Sequence, residues 1–133
     1  MKKIFFSFLI LLSLLKAEVI NVNATPEFLK SNPDIKIIDI RTPSEWRETG
    51  IVKGAYTLTF FDERGYYNIE QFLNELNKIV KPDEKFALIC RTGSRTTMVS
   101  NFLGKRLHYR VINLRGGLMQ LIKLGYKTVP YNK

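Results

Sequence analysis

From residue 19 onward, short apolar runs alternate with segments that open on helix-start signals, and few folds accommodate that alternation. Residues 19–22 read as a short strand. Thr25-Pro26-Glu27 then reads as a helix start, with Thr25 as N-cap and Pro26 at the first helical position; the helix stops near residues 31–33. The β-branched run 35–40 around Lys36 reads as a buried strand. Thr42-Pro43-Ser44-Glu45 opens a second short helix that ends at Gly50. Residues 54–58 are a weak third strand, and 59–66 are irregular. Over 69–80, Phe72, Leu73, Leu76, Ile79 and Val80 recur at the spacing of an amphipathic helix. After a turn at 81–83, residues 86–89 form a compact buried strand that runs straight into Cys90-Arg91-Thr92-Gly93-Ser94-Arg95. A helix is predicted over 96–107, with Met98, Val99, Phe102 and Leu103 on one face. A strand at 111–114, a turn at 115–117 and a helix over 118–124 complete the chain. The order predicts an α/β fold, a parallel sheet with helices on both faces.

The first residues stand outside this pattern. Met1-Lys2-Lys3 precedes a nearly wholly apolar run over 4–15, followed by Lys16-Ala17-Glu18. A basic start, an apolar run and a small residue before the cut describe a secretory signal peptide. The run is short of the roughly 20 residues a membrane span needs. The expectation is a signal peptide over 1–17 cleaved near Ala17, and one domain over 18–133 that is periplasmic or secreted. Removing 1–17 takes away Lys2, Lys3 and Lys16 and no acid, lowering the formal charge from +9 to +6. The remaining Lys and Arg residues are scattered and form no basic stripe interleaved with aromatics, so a nucleic-acid partner is not expected.

Cys90 is the sole cysteine, so no internal disulfide can form. With His108 the sole histidine, neither a metal centre nor a cofactor is expected. A strand, a short polar loop and a helix form the place where open α/β folds put their ligands. Gly93 permits a tight turn there, and the peptide N–H groups of such a loop can converge with the start of the next helix on an anion. A cysteine at the rim sits in a positive field that favours its thiolate, and Arg91 and Arg95 add formal charge. His108 lies a helix away from Cys90, so no general base accompanies the thiol and Cys–His acyl transfer is not expected. A thiolate facing an anion cradle suits attack on an anionic sulfur donor, giving a persulfide.

Three segments together resemble the rhodanese family over essentially all of residues 19–130. They are Ile37-Ile38-Asp39-Ile40-Arg41 with Glu45-Trp46 and Gly50-Ile51-Val52-Lys53-Gly54-Ala55, then Cys90-Arg91-Thr92-Gly93-Ser94-Arg95, and Asn113-Leu114-Arg115-Gly116-Gly117. The resemblance implies a five-stranded parallel sheet and a cysteine, Cys90, that cycles between thiol and persulfide. It implies substrate binding by Arg91, Thr92, Gly93, Ser94 and Arg95. The implied partners are a small anionic donor such as thiosulfate and a cyanide or thiol acceptor, with an exported protein as a further acceptor. The related phosphatases have a loop one residue longer that ends in an arginine for phosphate; here that next position is Thr96. Two positions depart from the family pattern: Ile51 where His is common, and Leu121 where Trp is common. Asp39, Arg41 and Glu45 are expected to form a structural ion-pair and hydrogen-bond group bracing the sheet end, with Trp46 in the core. The alternatives are a periplasmic sulfur carrier or interaction module using the same loop, a phosphatase, and a sensor of oxidants through Cys90.

Overall fold

The computed structural model describes residues 18–132; the predicted signal segment, 1–17, lies outside the described residues. The elements in chain order are β1 (Glu18–Asn23), α1 (Pro26–Ser31), β2 (Lys36–Asp39), α2 (Pro43–Thr49), β3 (Tyr56–Thr57), α3 (Ile69–Ile79), β4 (Lys85–Ile89), α4 (Ser94–Asn101), a π-helical turn (Phe102–Arg106), β5 (Arg110–Arg115) and α5 (Gly117–Lys123). The five strands lie in the order β1-β5-β4-β2-β3, and every pairing is parallel.

Local signals explain where the helices begin. The Thr25 hydroxyl accepts the Phe28 N–H at 3.1 Å, with Pro26 in the first turn. Thr42 and Glu45 form a capping box at the start of α2. The Asn68 side chain accepts the Gln71 N–H at 3.0 Å at the start of α3.

β4 sits between β5 and β2 and is buried on both faces, as a central parallel strand must be. Phe86, Leu88 and Cys90 turn to one side, against Phe72, Leu76, Val99 and Leu103 of α3, α4 and the π turn. Ala87 and Ile89 turn to the other, against Ala24, Leu118 and Leu121. Each large apolar side chain fully withdrawn from water in these layers contributes about 1.5–3 kcal/mol. Leu121, at the position where the family often carries Trp, is fully buried in the second layer. Ile51, the other departure, exchanges two backbone hydrogen bonds of 2.9 Å with Val129, fastening the C-terminal segment along α2.

Two expectations need correction. The helix predicted over 96–107 starts earlier, at Ser94, and widens into the π turn after Asn101. Its buried face is Thr96, Val99, Ser100 and Leu103, while Met98 is 62% exposed. The helix is rotated because Thr96 must face inward, toward the cysteine. Gly104 in the π turn lies against Val19 of β1, where a Cβ has no room. The weak strand at 54–58 is paired as strand only at Tyr56–Thr57, an edge strand kept short.

Candidate active site

β4 delivers Cys90 to the carboxyl edge of the sheet, and α4 leaves from the same point four residues later. Cys90 is fully buried. Gly93 adopts φ 102°, a left-handed conformation that turns its N–H onto the Cys90 Sγ at 3.2 Å. The Thr96 hydroxyl lies 3.6 Å from the same sulfur. Arg91, Thr92 and Ser94 are exposed, and Gly93 is buried.

Three of the loop carbonyls are engaged by α4 and α5. The Cys90 carbonyl accepts the Leu118 N–H at 2.9 Å, and the Arg91 carbonyl accepts the Met119 N–H at 3.1 Å. Those donors belong to the first turn of α5, whose amides have no partners within the helix. Gly117, at φ 64°, makes the approach possible, because a Cβ there would lie 2.5 Å from the Arg91 carbonyl oxygen. The Gly93 carbonyl is held from the α4 side by the Thr97 N–H at 3.0 Å and by the Thr96 and Thr97 hydroxyls at 3.2 and 2.8 Å. Buried Asn113 on β5 then donates to the Thr97 hydroxyl at 3.1 Å and to Asn21 at 2.9 Å, linking α4 to two strands. The sequence singled out Asn113, Gly116 and Gly117 only as a signature; the contacts show that they seat the loop. Thr96 was not singled out as a site residue, and its inward position became legible only with the rotation of α4.

Asp39 and Arg41 form a fully buried ion pair, with Nη2 to Oδ2 at 2.8 Å. The Asp39 carboxylate also accepts the Arg41 N–H and the Trp46 indole N–H, each at 3.1 Å. Arg41 donates onward to the Thr49 hydroxyl at 2.8 Å and the Gly50 carbonyl at 3.0 Å. This group binds the end of β2 to the middle and the C-terminal end of α2, and removing one partner from such a buried pair costs about 3–5 kcal/mol.

The Glu45 carboxylate is not part of that group, contrary to the sequence expectation. It faces Arg95, which donates to Oε1 at 2.7 Å and to Oε2 at 2.8 Å. Arg95, placed by the sequence on a donor anion, is therefore clamped by a carboxylate 50 residues earlier. The reason is topological: β2 and β4 are neighbours, so α2 and α4 start side by side at the same sheet edge. Alongside the pair runs a groove of about 510 Å³ whose walls include Thr42, Phe61, Asp62 and Glu63. The cavities of about 350 Å³ over residues 58–75 and at the start of β2 hold no residue of the loop.

The Arg95 hydrogen bonds hold the Glu45 carboxyl down to about 2, against a partial burial that pushes the other way. A carboxyl lowered in the folded state from its ordinary 4.5 stabilises the protein above that value. The contribution is lost as pH falls from about 4.5 to about 2. Both side chains keep some exposure, 25% and 18%, so the pair contributes about 1 kcal/mol or less. Urea unfolding of wild type and Glu45→Gln should show a constant difference from pH 7 to pH 5 that closes below about 4.5. A difference that persists unchanged to pH 2 would contradict the ion pair.

The family model described as rhodanese-like domain matches residues 25–124. A sulfurtransferase of Allochromatium vinosum is 29% identical over 101 residues, covering 76% of this chain and 84% of the relative. Among solved structures, a rhodanese-related protein from Thermoplasma volcanium superposes with a TM-score of 0.59 at 23% identity, over 80% of this chain and 96% of that one. A rhodanese-like domain from Anabaena sp. superposes with a TM-score of 0.61 at 18% identity, over 82% and 79%. These structures share the fold of the five-stranded sheet and its flanking helices.

Proposed function

Because this chain belongs to the rhodanese-like domain family, we propose that it is an exported sulfurtransferase that carries sulfane sulfur on Cys90. The observation that carries this reading is the Gly93 N–H aimed at the Cys90 sulfur from 3.2 Å, inside a loop whose first two carbonyls are tied back to α5. Such a loop offers its amide side to an anion. In the proposed reaction the Cys90 thiolate attacks the outer sulfur of thiosulfate. The donor's S–S bond breaks, its electron pair leaves with sulfite, and a Cys90 persulfide anion remains. Cyanide or a thiol then takes the outer sulfur, and the Cys90 thiolate returns. Arg91, exposed beside the loop, is free to meet the sulfonate end of the donor. Thr92 and Ser94 contribute through their backbone N–H groups. The full burial of Cys90 favours attack on a single exposed sulfur atom over attack on a bulky acyl or phosphoryl group. Thr96, one position past the loop, lies buried near the sulfur and offers no cation for phosphate. Export rests on the character of residues 1–17.

One measurement tests both halves of the reading. The intact mass of the protein purified from outside the cytoplasm should correspond to a chain beginning near Glu18. It should gain one sulfur atom on incubation with thiosulfate and lose it to cyanide. No persulfide with any sulfane donor, together with rapid hydrolysis of an aryl phosphate, overturns the transferase. A retained Met1 in the cytosolic fraction overturns export alone.

A further inference from the structure

Resting on that sulfurtransferase reading, we infer that Glu45 sets the charge selectivity of the donor site by occupying Arg95. The two hydrogen bonds, 2.7 and 2.8 Å, use both terminal nitrogens of the guanidinium. That is the fork a sulfonate would otherwise take. The carboxylate is also held from behind, because its Oε1 accepts the Thr42 backbone N–H at 3.4 Å in the capping box of α2 and the Thr42 hydroxyl at 3.2 Å. A donor anion that seeks Arg95 must therefore displace a carboxylate already fixed in place.

The rest of the groove reinforces the effect. Arg95 is the one cation on its walls among the described residues, and Asp62 and Glu63 stand there with Glu45. Asp62 is fastened by the backbone N–H groups of Arg64 and Tyr66, at 2.8 and 2.9 Å, and Glu63 accepts from the Ser44 hydroxyl at 2.5 Å. Glu45 is ionised throughout the neutral range. With Arg95 neutralised, the wall beside the loop is anionic. An electrostatic energy scales with the charge of the ligand. A donor carrying two negative charges is thus disfavoured about twice as strongly, in free energy, as a donor carrying one. The site is tuned toward monoanionic sulfane donors.

The test compares thiosulfate, a dianion, with benzenethiosulfonate, a monoanion, in wild type and Glu45→Gln. Glutamine keeps the capping bond through its carbonyl oxygen and drops the charge. On Coulombic scaling, kcat/KM should rise about tenfold for thiosulfate and about threefold for benzenethiosulfonate. Glu45→Asp, which retains the charge, should keep the wild-type preference. Glu45→Ala repeats the charge removal should the glutamine variant fail to fold. A second measurement needs no turnover: sulfate and methanesulfonate should protect Cys90 from iodoacetamide at concentrations lowered in the same unequal proportion. Equal changes for dianion and monoanion, or a proportional loss of both activities, overturn the role of Glu45. If wild type never forms a persulfide but the unequal protection appears, the transferase reading falls and the charge selectivity stands.

Discussion

Replacing Cys90 by serine should abolish sulfur transfer and leave the fold intact. Serine sets a hydroxyl slightly back from the sulfur position, still beside the Gly93 N–H that lies 3.2 Å from the sulfur, so the buried oxygen keeps a donor facing it. With that donor available the stability change should stay within about 1 kcal/mol. The chemistry has no such substitute. An alcohol is not ionised near neutral pH, and among the described residues no histidine or carboxylate hydrogen-bonds the Cys90 side chain to take its proton. The second step needs a persulfide, which an oxygen atom cannot carry. Loss of a covalent nucleophile is felt on a scale of about 10⁴-fold or more. Thiocyanate release from thiosulfate and cyanide measures it, with circular dichroism on the same sample. Residual turnover within tenfold of wild type would show that Cys90 is not the sulfur carrier.

Gly117→Ala should be the most damaging substitution that touches no reacting atom. The residue sits at φ 64°, where an L side chain costs about 1–2 kcal/mol. Its Cβ would also stand 2.5 Å from the Arg91 carbonyl oxygen and 2.6 Å from that of Cys90, and neither belongs to a flexible side chain that could swing away. The clash is relieved only if α5 backs off from the loop, which breaks the Leu118 and Met119 hydrogen bonds. Total destabilisation should reach about 3 kcal/mol or more. Displacing the cradle by a fraction of an ångström should lower kcat/KM by about 10²-fold in the molecules that remain folded. Gly65→Ala is the control, since φ there is 84° with nothing within 4 Å of the added methyl. It should lose only the conformational cost, about 1–2 kcal/mol. Thermal unfolding and sulfur transfer measured side by side decide the matter. An alanine at 117 that behaves like the alanine at 65 would refute the seating of the loop by α5.

Much of the frame was legible in the sequence because its signals are local. Thr25-Pro26 and Thr42-Pro43 announce helices through groups no more than three residues apart, and the run into Cys90 reads as a buried strand ending at a polar loop. The rotation of α4 was not legible. Met98 and Val99 are adjacent apolar residues, and periodicity alone cannot decide which faces inward when Thr96 and Ser100 occupy the buried stripe. Polar groups that serve a site break the pattern by which a helix face is recognised. The destination of Arg95 was hidden for another reason. Its carboxylate partner belongs to a different helix, and only the adjacency of β2 and β4 brings the two helix starts together. The glycine pair at 116–117 was visible as a motif, yet its purpose lies in a contact with residues 90 and 91 that no spacing expresses.

The docking of α5 onto the loop also sets an order of events. Cys90 leaves the ribosome well before Leu118 and Met119, the residues that draw its loop into shape. β1, the first strand described, likewise waits for β5, its sole neighbour among the described strands. Until the end of the chain arrives, Cys90 ends an unfinished strand, and its carbonyl and that of Arg91 lack the Leu118 and Met119 amides that hold them. The seating of the loop is therefore a late acquisition of folding, and a nascent chain would carry Cys90 without it.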